Sequence, residues 1–369
     1  MTPTTWSASP FLSLGCLLGE GPYYESATQT LRFVDIKKKQ VHTVPVTIPI
    51  ASASDVKTLS FDIPVTVTAD ITGVDPCDRI LVGAKYGVAV LDRNTGGLDW
   101  VARWAESGDK DNERLRSNDG GVDPNGRFWV GTMTDFGLGD FQPEGRFQNI
   151  SRHNDSGASY LHVLAAVLAA STLSWSAIMQ FERRRTGSDK KYSPQNPRLE
   201  GSVFTIPTDP KYSPRRVFRS GFTIPNTVGW SPDGMTMYIT HSSARTIFAY
   251  SYDPAVGSVS PESERIFYSH PGAGEPDGFR VDTEGNLWHA VYGEGKVLRI
   301  TPEGKVTGEV RLPTANITCV EFVGTELFIT SAADEGAQMG PVSKEMGGAI
   351  FRVDVGARGL DRFKFKLDV

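Results

Sequence analysis

Cysteine is scarce in this chain: Cys16, Cys77 and Cys319 are the whole complement of 369 residues, odd in number and far apart. No Cys-x-x-Cys pair occurs, so neither a disulfide framework nor a thiolate zinc site is expected. The start of the sequence lacks a basic stretch followed by a continuous apolar core. No signal peptide is therefore read, and a reducing, cytoplasmic compartment is expected. A large excess of either charge is missing too: 38 Lys and Arg against 43 Asp and Glu leave a net charge of -5. With a pI near 5.8 there is no electrostatic footprint for nucleic acid. The basic runs Lys37-Lys38-Lys39 and Arg183-Arg184-Arg185 are short and read as solvated loops. Neither a nucleic acid nor a membrane is expected as partner.

What is present points to β-structure. The chain is 39% hydrophobic and 22% charged, enough for a large core, and its 38 Gly and 23 Pro imply many tight turns. The clearest unit runs Pro276-Asp-Gly-Phe-Arg-Val-Asp, the turn Thr283-Glu-Gly-Asn, then Leu287-Trp-His-Ala-Val-Tyr. A second turn at Gly293-Glu-Gly leads to Lys296-Val-Leu-Arg-Ile, and Thr301-Pro-Glu-Gly leads to a last strand. Four short strands joined by tight turns make one propeller blade. Copies of the opening precede Leu31-Arg-Phe-Val-Asp, Arg79-Ile-Leu-Val-Gly, Arg127-Phe-Trp-Val-Gly, Met235-Thr-Met-Tyr-Ile-Thr and Glu326-Leu-Phe-Ile-Thr. Six starts, with the period broken once, predict an all-β, six-bladed β-propeller spanning 1–369 as one domain.

Polar residues recur at one offset within this repeat. Asn118, Asn226 and Asp277 each lie eight residues before a turn glycine, and Glu20 lies eight before Thr28 in the corresponding turn. These positions are expected just before the first strand of their blades, converging on one mouth of the central channel. Carboxylate and amide oxygens arriving from separate blades suit a hard divalent cation. Local Asx-type turns are the alternative for each of them taken singly.

Several segments resemble the senescence-marker-protein/gluconolactonase/regucalcin family, which includes luciferin-regenerating enzymes. They are Leu18-Gly-Glu-Gly-Pro-Tyr-Tyr, Arg116-Ser-Asn-Asp-Gly-Gly-Val-Asp-Pro-Asn-Gly-Arg-Phe-Trp-Val-Gly-Thr-Met, Pro225-Asn-Thr-Val-Gly-Trp-Ser-Pro-Asp-Gly, Pro276-Asp-Gly-Phe-Arg-Val-Asp and Gly347-Gly-Ala-Ile-Phe. The resemblance implies one divalent metal held by Glu20, Asn226 and Asp277, and substrate contacts from Arg116 and Asn118. Calcium or zinc is the expected ion, with magnesium and manganese open. The implied activity is metal-dependent opening of a lactone, a sugar lactone first, with Asp277 also accepting a proton from the attacking water. The small-molecule substrate could equally be another ester or a phosphotriester. A calcium-binding regulatory propeller without turnover is the alternative from a different class.

Two departures stand out. After the Asn226 segment the chain reads Thr240-His241-Ser242, which makes His241 a candidate rim residue in contact with substrate. Soon after Gly-Thr-Met, beyond Thr134, comes Asp135, followed by Phe136, a change that bears on substrate choice. Residues 146–199 find no place in a blade: a polar stretch, the apolar run from Val163 to Met179, then Arg183-Arg-Arg. This insertion reads as helical or disordered, and as a lid, an anchor, or sequence foreign to the fold such as a retained intron. Strand-like sequence resumes cleanly after it, which favours the last.

Overall fold

The computed structural model describes residues 3–104, 113–150 and 215–367. Among them, the helical segments are a 3-10 turn at Ala53–Asp55 and a short helix at Pro341–Met346; the rest is strand, turn and loop. The strands form six sheets, and in each the chain zigzags outward from an innermost strand. The innermost strands are Gly19–Glu25, Val65–Ala69, Leu115–Val122, Pro225–Trp230, Glu275–Val281 and Ile317–Val323. Each packs against the next, and the sixth returns to the first. This ring is the predicted six-bladed propeller.

The chain closes the ring with its own beginning. Ser9–Ser13 adds the outermost strand to the sixth blade, antiparallel to Ala349–Asp354, and Thr4–Ser7 pairs in parallel on the edge of the fifth. Blade faces are apolar because each must bury both sides against neighbours. Trp288 of blade five meets Phe322 of blade six edge-on at 6.1 Å, and Trp129 of blade three meets Trp230 of blade four at 6.4 Å.

The turns that revealed the repeat join the first and second strands of a blade. The segments beginning near Leu31, Arg79, Arg127, Met235, Leu287 and Glu326 are therefore second strands, and the polar residues eight positions back lie within or at the start of innermost strands, not before them. Two of these turns share a further device. The Asp282 carboxylate accepts from the backbone N–H of Glu284 and Asn286 and from Trp288 Nε1 at 2.8–3.0 Å. Asp123 does the same for Asn125, Arg127 and Trp129 Nε1. One side chain thus satisfies the donors of a tight turn and locks the indole that fills the space between blades.

The innermost strands also share a break in register with their second strands at one level. Two residues oppose one at Asn118-Asp119, Asn226-Thr227 and Asp277-Gly278. A single extra residue sits at Thr66 and at Thr318. In blade one the unpaired residues are Gly21-Pro22, directly after Glu20. A bulge re-aims side chains and bends its strand, so six at one level make a ring of residues turned out of the ladders. Glycine is required at two of them. Gly21 has φ of +53°, and a Cβ on Gly278 would lie 2.3 Å from Cys319 Sγ of the next blade.

At the other end of the channel the C-terminal segment forms a strap. It bonds to blade five through Leu360 N to Val281 O at 3.0 Å and to blade two through Phe365 N to Asp70 O at 2.8 Å. Phe365 is fully buried. The insertion expected at 146–199 lies outside the described residues, except that its first positions continue the strand Gly145–Ile150. The chain leaves blade three at Ile150, which pairs with Phe128 and Arg215, at the end opposite Asp277. No helix among the described residues is long and apolar enough to cross a membrane.

Candidate functional site

The bulge ring brings the polar residues of separate blades into contact. Asn226 Nδ2 donates to Asp277 Oδ1 across blades four and five, and to Ser242 Oγ at 3.1 Å. Thr227 Oγ1 donates to Asp119 Oδ2 across blades three and four, while Asn118 Nδ2 donates to Pro225 O at 2.9 Å. Thr66 and Ser117 share a hydroxyl bond of 2.7 Å between blades two and three, and Thr318 Oγ1 donates to Gly19 O at 2.6 Å, joining blade six to blade one. Short polar side chains on bulges thus stitch the blades together at the level of the site.

Three buried carboxylates lie at the level of this ring, Glu20, Asp119 and Asp277, near enough for their charges to act on one another. Burial, and then the charge of Asp119, push the Glu20 carboxyl up to about 8. Asp277 is raised well above the ordinary carboxylate range by burial, then by Glu20 and Asp119. Desolvation and like charge both favour the protonated acid, and no local cation reverses this for Asp277. A divalent ion would do so. Two carboxylates and an amide also form the oxygen-rich donor set such an ion takes. The residues therefore fit a hard cation, with one adjustment: Asn226 Oδ1 accepts from Thr227 N at 3.0 Å, so ligation needs that amide oxygen turned inward. Among the described residues no three His, Cys, Asp or Glu side chains converge as a ligand set. The third expected ligand is an asparagine.

Arg116 stands beside this cluster, buried, on the same strand as Asn118. Its Nη1 donates to Ser117 O at 2.7 Å and to Asn118 Oδ1 at 2.9 Å. One face of its guanidinium lies over the Phe136 ring, 4.2 Å from the centroid. Its Nε is buried without a hydrogen-bond partner and stands 3.7 Å from Asp135 Oδ1. A buried donor left open is costly, so this edge is poised for an acceptor. Burial also lowers the guanidinium to about 10, which leaves it charged at neutral pH.

Glu20, Asn226 and Asp277 thus share one end of the channel, and Arg116 and Asn118 adjoin them. His241 stands slightly apart, at the end of the second strand of blade four. Its Nε2 accepts from Thr223 N at 3.1 Å and its ring packs on Phe222. The sequence reading singled out neither Asp119 nor Thr66, Thr227 and Thr318 as site residues. Asp119 and Thr227 stand seven residues before their turn glycines, so the repeat that exposed their neighbours carried the signal for them as well.

The comparisons agree with this architecture. The family model described as the SMP-30/Gluconolactonase/LRE-like region matches residues 18–177 and 170–333. Pentonolactonase XacC of Haloferax volcanii is 28% identical over 357 residues, covering 95% of this chain and 94% of that one. Regucalcin of Sus scrofa is 27% identical over 358 residues, covering 95% of each. Among solved structures, a calcium-binding protein, regucalcin, from Agrobacterium tumefaciens superposes with a TM-score of 0.69 at 20% identity, covering all of both chains. A luciferin-regenerating enzyme gives 0.69 at 24% identity, covering 96% of this chain and 97% of that one. The chain therefore belongs to the SMP-30/gluconolactonase/LRE-like family.

Proposed function

We propose that this protein hydrolyses a lactone at the bulge-ring end of its channel, with a divalent metal ion as cofactor. The observation that carries the reading is the contact of Asn226 with Asp277 across blades, with the buried carboxylates of Glu20 and Asp119 at the same bulge level and the buried Arg116 guanidinium beside them. An acid cluster alone suits an ion-binding propeller; the open arginine edge asks for an organic acceptor. The pentonolactonase among the relatives supports a cyclic ester as that ligand.

Glu20, Asn226 and Asp277 would hold the ion, which supplies Lewis-acid polarisation of a carbonyl oxygen and lowers the pKa of a bound water. With its charge balanced, Asp277 is ionised and accepts a proton from the attacking water at its carboxylate oxygen. Arg116 donates from its guanidinium to the ester as it binds and to the carboxylate that ring opening creates, a planar donor matched to a planar acceptor. Asn118 holds the guanidinium through Oδ1 and the neighbouring blade through Nδ2. His241, neutral because burial lowers it to about 4, has Nε2 engaged by Thr223 N and Ser243 Oγ and would meet only the outer part of a substrate.

The test is turnover of γ- and δ-lactones, including sugar lactones, after chelation and add-back of Ca²⁺, Zn²⁺, Mg²⁺ or Mn²⁺. Metal-dependent ring opening is expected. Tight metal binding by calorimetry with no turnover of any lactone, ester or phosphotriester would leave a calcium-binding regulatory propeller instead.

A further inference from the structure

The rim beside Arg116 has used up its polar groups internally. Asp135, the acid soon after Gly-Thr-Met, is ion-paired to Lys85 Nζ, accepts from Phe136 N at 2.8 Å and faces Arg116 Nε at 3.7 Å. Its oxygens are committed to the protein, which leaves a ligand hydroxyl a poor acceptor there.

The next side chains outward are apolar. Phe136 is half-buried, with Arg116 4.2 Å and Lys37 Nζ 5.5 Å from its ring centroid. Aromatic rings receive sugars by stacking an open face on the C–H face of the pyranose, and a sugar on the Arg116 side of Phe136 would have to displace that cation. Phe141 lies 6.4 Å from Phe136 at an interplanar angle of 59°, continuing the apolar surface away from the arginine. Phe141 is 36% exposed and Leu138, between two glycines on the same loop, is 42% exposed. Together, Leu138 and Phe141 put two exposed apolar side chains on one loop beside the site, a surface that an apolar ligand group can cover.

We infer that the preferred substrate is a lactone carrying an apolar substituent, an alkyl or aryl group lying along Phe141 and the edge of Phe136, and not a polyhydroxylated sugar lactone. The inference rests on the hydrolase reading above and narrows it. The reacting ester sits at Arg116 and the acid cluster, where donors and charge are gathered. The substituent leaves water along the loop 136–141. Each methylene so buried strengthens binding in the transition state as in the ground state, so it raises kcat/KM.

The experiment uses the full chain, metal-replete, on γ-butyrolactone, its γ-alkyl homologues of increasing length and a set of pentono- and hexonolactones. We expect kcat/KM to rise about two- to fourfold per methylene over the first several carbons, and to exceed that for the sugar lactones. Phe141→Ser flattens this dependence on chain length, whereas Met235→Ser, an exposed apolar residue at the far end of blade four, leaves it unchanged. A flat dependence, or sugar lactones turned over best, overturns this inference while leaving the hydrolase intact. No turnover of any lactone removes the hydrolase reading and this inference together.

Discussion

Asn226 and Asp277, 51 residues apart and on adjacent blades, are joined by a hydrogen bond from the amide to the carboxylate at the same bulge level. The bond fixes the carboxylate of the proposed base against the next blade. An ion held here as proposed would replace this bond, because the Asn226 amide would have to present its oxygen in place of Nδ2.

Replacing the carboxylate separates activity from stability. Asp277→Asn should lower kcat/KM by at least about 100-fold, the scale of a lost general base. The chelated protein should become more stable by about 2–4 °C in Tm, because one of three mutually repelling buried acids has gone. Calcium or zinc, which should raise the Tm of the wild type, should raise that of the variant far less. Scanning calorimetry with and without chelator checks both.

Asn118 predicts a split of a different kind. Asn118→Ala frees Arg116 Nη1 from its side-chain acceptor without touching the acids. KM should rise about tenfold, with metal affinity unchanged by calorimetry. A loss of metal affinity comparable to that of Glu20→Gln would place Asn118 among the ligands.

The turn aspartate of blade five is a stability prediction. Asp282→Ala removes the acceptor for two backbone donors and for the indole of the fully buried Trp288. With charge-assisted bonds worth about 1.5–3 kcal/mol each, the loss should be about 3 kcal/mol or more. Urea denaturation measures it, and kcat of the folded fraction should stay near that of the wild type.

Acid should destabilise the protein partly through His289. It is buried, shares a 3.1 Å contact with Thr240 Oγ1, and is lowered by desolvation to about 4. The unfolded chain, with an ordinary histidine near 6.5, binds the proton more readily. The stability tied to the neutral ring is therefore complete above pH ~6.5 and is lost as pH falls through about 4, amounting to about 3 kcal/mol. His289→Gln should remove about a third of the histidine-linked slope of the Tm–pH curve in that window, leaving the comparable contributions of His42 and His241, which burial also lowers to about 4.

The repeat was legible because each blade repeats a chemical problem. A tight turn needs a glycine and an acceptor for its donors, so Asp123-Pro-Asn-Gly and Asp282-Thr-Glu-Gly announce themselves. The offset to Asn118, Asn226 and Asp277 was legible for the same reason: identical turns impose identical distances along the strand. The bulges were not, because an unpaired residue has no composition of its own; Asn118-Asp119 and Thr66 look like ordinary strand residues. Nor was the engagement of Asp135 by Lys85, 50 residues earlier, since nothing local marks an ion pair between blades.

The amino-acid sequence by itself determined the number of blades, the strand pattern and the identity of the polar residues at each blade's entrance. Those follow from turn chemistry and alternation, which act over a few residues. Only the tertiary structure decided that these residues sit on bulges within the innermost strands, that Asn226 meets Asp277 while Asp119 meets Thr227, and that Phe136 covers Arg116. Such contacts arise when the ring closes, because closure sets the distance and angle between blades that the chain order leaves free.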